Sequence, residues 1–181
     1  MQSCAAGTFA ASTGMSKCVP CAAGKYSAAG ADSCTDCAAG SFAALIACQP
    51  HGCKGADVCT LCPQGTYNSN TASTSLAACT SCPAGTYSSS IGATSSATCL
   101  QCPTGTYNDR TGSTSAAACT ECPAGTYNTN TGSTSVAACQ ACPAGTYNHD
   151  VGSTSSSQCK VRVMLTYISL FVDILSVSLV L

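Results

Sequence analysis

A chain of 181 residues with formal net charge −1 and 7 % charged residues carries no basic stripe, which excludes the electrostatic footprint of a nucleic-acid binder. Trp is absent, Phe occurs 3 times, and before Cys159 the only Leu and Ile are Leu45, Ile46, Leu61, Leu76, Ile91 and Leu100. So few large apolar side chains cannot offset the ordering of so long a backbone, and with 18 Cys present the core must be replaced by covalent cross-links.

The chain opens Met1-Gln2-Ser3-Cys4, with no charged n-region and no apolar h-region. No secretory signal is therefore read there, and a fragment, or export by another route, is expected. Residues 1–58 form a first, divergent region. Cys4 opens CAAGTFAASTGMSKC, Cys21 opens CAAGKYSAAGADSC and Cys37 opens CAAGSFAALIAC, with Phe9, Tyr26 and Phe42 at one equivalent place. The stretch Cys48-Gln-Pro-His-Gly-Cys53 and on to Cys59 breaks the pattern, and His51 within it reads as a linker residue.

Residues 59–159 are a regular array. Cys62, Cys82, Cys102, Cys122 and Cys142 lie 20 residues apart, and each opens a near-copy of one sentence, as in CPAGTYNTNTGSTSVAAC from Cys122. Pro after Cys fixes φ and disfavours helix, and Gly two residues later permits a turn or a close backbone approach. Thr-Tyr is a short β-prone run, and Asn-x-x-x-Gly is turn chemistry. Each unit is expected to be a short irregular β-hairpin, with Tyr67, Tyr87, Tyr107, Tyr127 and Tyr147 packed on the disulfides as miniature cores. The expected fold class is thus small and disulfide-rich: an elongated tandem array of such hairpins.

Counting constrains the cysteine partners. An isolated Cys4 opens the array, an isolated Cys159 closes it, and seven C-x-x-C motifs lie between (18/21, 34/37, 59/62, 79/82, 99/102, 119/122 and 139/142). If the second Cys of each motif bonds the first of the next, the pairs are Cys4–Cys18, Cys21–Cys34, Cys37–Cys48, Cys53–Cys59, Cys62–Cys79, Cys82–Cys99, Cys102–Cys119, Cys122–Cys139 and Cys142–Cys159. The two middle bonds stay open to exchange of partners among Cys37, Cys48, Cys53 and Cys59. Zinc is the competing reading, because Cys59/Cys62 with Cys79/Cys82 has zinc-ribbon spacing. An odd number of motifs does not divide into four-cysteine sites, which disfavours it.

After Cys159 the composition changes abruptly. Residues 160–181 are hydrophobic, and Val163 to Leu181 has the length of a membrane-spanning helix, with Asp173 a costly residue near its middle. Arg162, Thr166, Ser169, Asp173 and Ser176 share one helical face. Three readings stay open here: a membrane anchor, a lipid-anchor signal with Ser155 to Ser157 as its small-residue site, or translated non-coding sequence.

The sentence running from Cys119 to Cys142 resembles the ephrin-receptor-like (GCC-type) cysteine-rich repeat of the growth-factor-receptor cysteine-rich group. It is also similar to tumour-necrosis-factor-receptor-type modules and to periodic-cysteine surface antigens of ciliates. The resemblance covers roughly residues 4–159. It implies an extracellular or cell-surface rod for spacing, adhesion or ligand contact, with other extracellular proteins or glycans as partners. A receptor fragment with its ligand contacts in the irregular 37–62 region is the second reading, and an intracellular zinc array the third. No cofactor is expected and no enzyme, since Ser/His/Asp constellations, acidic pairs and phosphate loops are missing from the sequence. Asn128-x-Asn130-x-Gly132 and Asn148-x-Asp150-x-Gly152 offer too few carboxylates for calcium and read as turns. No N-glycosylation sequon occurs.

Overall fold

The computed structural model describes residues 4–11, 17–45 and 54–162. Within them the chain forms eight antiparallel two-strand hairpins in tandem. In the divergent region β1 (Thr8–Phe9) pairs with β2 (Val19–Pro20), β3 (Lys25–Tyr26) with β4 (Thr35–Asp36), and β5 (Ser41–Phe42) with β6 (Thr60–Leu61). In the regular region β7 (Thr66–Tyr67) pairs with β8 (Thr80–Ser81) and β9 (Thr86–Tyr87) with β10 (Leu100–Gln101). The last three are β11 (Thr106–Tyr107) with β12 (Thr120–Glu121), β13 (Thr126–Tyr127) with β14 (Gln140–Ala141), and β15 (Thr146–Tyr147) with β16 (Lys160–Val161). We name each unit by its opening cysteine: Cys4, Cys21, Cys37, Cys62, Cys82, Cys102, Cys122 and Cys142.

Local chemistry explains the hairpin. In the Cys62 unit the backbone N–H of Thr66 donates to the Pro63 carbonyl at 3.2 Å and its hydroxyl donates to the same oxygen at 2.7 Å. Gly65, between them, has φ +75°, the left-handed region that a type II turn demands at its third residue. The Thr-Tyr strand follows at once. A loop then ends in one turn of 3₁₀ helix, Leu76–Ala78, which delivers Cys79 to the start of the returning strand. Two-residue strands are far too short to persist alone. The disulfide beside them supplies the closure.

The structure bonds Cys4–Cys18, Cys21–Cys34, Cys62–Cys79, Cys82–Cys99, Cys102–Cys119, Cys122–Cys139 and Cys142–Cys159, the pairs that tiling gives. The Cys37 unit corrects the scheme: Cys37 bonds Cys59, and neither the Cys37–Cys48 nor the Cys53–Cys59 bond forms. The reason is the strand pairing. In every unit the opening Cys meets the Cys just before the returning strand, and here that strand is β6, which follows Cys59. The Cys37 unit therefore runs on to Leu61 before it closes. Cys48 and Cys53 lie outside the described residues.

The interior is made of sulfur and small side chains. The buried apolar residues are Cys4, Cys21, Cys37, Cys62, Cys82, Cys102 and Cys122, with Ala43, Ala56 and Ala93. Tyr67, Tyr87, Tyr107 and Tyr127 are only half-buried and Tyr147 is exposed, so the expected tyrosine miniature cores are not what fills the interior. The expected hydrophobic C-terminal helix falls on 163–181, outside the described residues. Among the described residues, no helix is long and apolar enough to cross a membrane.

Candidate functional site: the stacked repeat

The residue that does fill the interior follows the tyrosine. Asn68, Asn108 and Asn128 are at most 1 % exposed, which for an amide demands that every polar atom find a partner. Asn128 meets that demand three ways. Its Oδ1 accepts from the Asn130 backbone N–H at 3.0 Å, and its Nδ2 donates to Ser133 Oγ at 2.8 Å within the same loop. The same Nδ2 donates across to the Thr106 carbonyl of the preceding unit at 3.0 Å. Asn108 repeats the set with Arg110, Ser113 and Thr86, and Asn68 with Asn70, Ser73 and Ser41. The sequence marks these asparagines as turn formers, which the bond to the backbone two residues on bears out. Their burial and their crossing bond have no signature in a single unit.

Backbone bonds run alongside this amide ladder. The turn glycine of each unit before the last donates forward, as in Gly85 N–H to Asn108 O (2.7 Å) and Gly105 N–H to Asn128 O (2.8 Å). The loop of each regular unit donates back, as in Gly112 N–H to Cys82 O and Gly132 N–H to Cys102 O, both 2.8 Å. Contact reaches the second neighbour as well. A Cβ placed on Gly65, Gly85 or Gly105 would lie 2.1–2.2 Å from the carbonyl oxygen of Gly112, Gly132 or Gly152. The same holds for Gly24 against Ala72 and Gly40 against Gly92.

At the C-terminal end the pattern stops. Gly125 and Gly145 face nothing within 4 Å among the described residues. A shallow recess of about 640 Å³ lies there, lined by Gly145, Thr146, Tyr147, His149, Val161 and Arg162, with the Tyr147 and His149 rings 5.0 Å apart. It is the face that the next unit covers elsewhere in the array.

All cysteines among the described residues are disulfide-bonded, and no group of metal-ligating side chains occurs among them. A sulfur in a disulfide is no thiolate and does not ligate zinc. The zinc array is therefore not favoured. The family model described as tyrosine-protein kinase ephrin type A/B receptor-like matches residues 51–99, 70–119, 94–139 and 116–159, together more than half of the chain. The chain belongs to the ephrin type A/B receptor-like repeat family. Each ephrin-receptor-like match spans more than two of the 20-residue units, in keeping with contacts that reach the second neighbour. The family is receptor-like rather than catalytic. A search of curated proteins finds no matching relative.

Proposed function

We infer that this protein is an extracellular or cell-surface spacer and interaction module, an extended rod of ephrin-receptor-like repeats. The observation that carries the reading is the continuous stack, in which each unit is closed by its own disulfide, bonded to the next and packed against the one beyond. Such a lattice resists bending without an apolar core, and its bridges persist in an oxidising compartment. Exposed loop tips are among the places where its units differ chemically: Ser69-Asn70, Ser89-Ser90, Asp109-Arg110, Thr129-Asn130 and His149-Asp150 occupy one equivalent position. Other extracellular proteins or glycans contact the rod along that row of tips, and the segment after Arg162 attaches it to a membrane.

Small-angle scattering of the purified non-reduced protein tests the rod. A radius of gyration well above the about 16 Å of a compact globule this long is expected, and a value at that figure would refute the extended form. Partition of the expressed protein into the membrane fraction, lost on truncation after Arg162, is the outcome expected of the anchor.

A further inference from the structure

Of the five regular units, one departs at the interior position. In the Cys82 unit Ser88 stands where the others have asparagine, and Ala93 stands where they have Ser73, Ser113, Ser133 and Ser153. The two changes fall on the two ends of one hydrogen bond. Ser88 is 1 % exposed and its hydroxyl makes a single bond, accepting from the Ser90 N–H at 3.4 Å in its own loop. Both amide-donated bonds have gone: the one within the loop and the one across to the preceding unit.

Neighbouring junctions show what is missing. Asn108 ties the Cys102 unit to the Cys82 unit through Thr86 O, and Asn128 ties the Cys122 unit to the Cys102 unit through Thr106 O. Asn68 ties the Cys62 unit to the Cys37 unit through Ser41 O. In the shorter Cys21 unit a serine makes the crossing, Ser27 Oγ to Thr8 O at 3.0 Å. In the Cys37 unit the equivalent Ala43 joins a small apolar cluster with Cys37 and Ala56, packed on Tyr26 and Cys59. Among the described residues no side-chain hydrogen bond crosses between the Cys62 and Cys82 units; the same is true of the last junction, Cys122 to Cys142, where Asn148 bonds only Ser153 Oγ and the Asp150 N–H of its own loop. The junction of the Cys62 and Cys82 units rests on backbone bonds, Gly65 N–H to Ser88 O, Asn68 N–H to Ala93 O and Gly92 N–H to Cys62 O, on the turn-glycine contacts, and on the covalent chain.

We propose that the junction between the Cys62 and Cys82 units is the yielding joint in the interior of the regular array, the place away from its last unit where the stack opens and bends first. The bonds it lacks are those that hold adjoining loops in register, and local opening follows local stability. The inference does not depend on what the rod binds.

Native-state hydrogen exchange on the whole non-reduced protein tests it. The amides of Gly65, Asn68 and Gly92 report this junction, and those of Gly105, Asn108 and Gly132 report its counterpart two units on. We expect the first set to exchange about tenfold faster, for two missing hydrogen bonds. The double variant Ser88→Asn with Ala93→Ser should slow the first set to the rate of the second. The converse, Asn128→Ser with Ser133→Ala, should carry fast exchange to the second set. Equal rates in the wild type would overturn the proposal, as would a fast first set that the Ser88→Asn, Ala93→Ser variant leaves unchanged.

Discussion

Asn128 is the residue on which a unit turns. Replacing it by Ala strands the Asn130 N–H, the Ser133 hydroxyl and the Thr106 carbonyl at once. A loss of about 2–4 kcal/mol is expected in chemical denaturation, larger than for any truncation of the half-buried Tyr127 polar tip. The glycines give a paired test. Gly105→Ala sets a methyl 2.1 Å from the Gly152 carbonyl at φ +78°, and combined strain and overlap should destabilise by about 3 kcal/mol. Gly145→Ala meets the same backbone strain with open space around it, so about 1 kcal/mol is expected. Equal effects would remove the second-neighbour contact from the account. Ala72 runs the other way. It holds φ +54° where Gly92, Gly112, Gly132 and Gly152 stand in later units, so Ala72→Gly should raise the thermal midpoint slightly. The sequence discloses the need for glycine at Gly105 and Gly145, since two residues past each Pro a turn is demanded. It does not disclose the asparagine's burial, because an amide that turns a loop and an amide that bridges two loops are the same letters.

At the scale of the element, the disulfide and the hairpin are one object. Each regular bridge joins cysteines 17 apart with Cα atoms 5.6–5.8 Å from one another, directly beside the strand pair. Removing both Cys122 and Cys139 should cost about 3 kcal/mol by the chain-entropy model, measured as a shift in denaturant midpoint with the remaining units intact. The pairing was legible by counting wherever units have their ordinary length. It failed at Cys37 because counting treats each cysteine as a beat of the repeat. Pairing of β5 with β6 shows instead that the stretch holding Cys48 and Cys53 sits inside one enlarged unit. Topology, not spacing, decides such a case, and spacing is all that a lone sequence offers.

Across the whole molecule the order of terms is unusual. Large apolar residues such as Leu61, Leu76, Ile91, Leu100 and Val136 lie exposed, while serine and asparagine are buried. That inversion was half visible: composition ruled out an apolar core, and repetition announced the array. What replaced the core was not visible, because the amide ladder and the glycine contacts exist only between copies. Full reduction at neutral pH is expected to abolish protease resistance along residues 59–159 in one step, followed by gel after timed digestion.

The contact between each turn glycine and the loop two units on has a genetic corollary. It fixes a stride of 20 residues in the regular region, so the rod behaves as a ruler graduated in whole units. Duplicating or excising one complete graduation leaves matching surfaces on either side of the seam, whereas losing half of one sets side chains against turns that have no room for them. Length variants of such a gene should therefore differ by whole graduations.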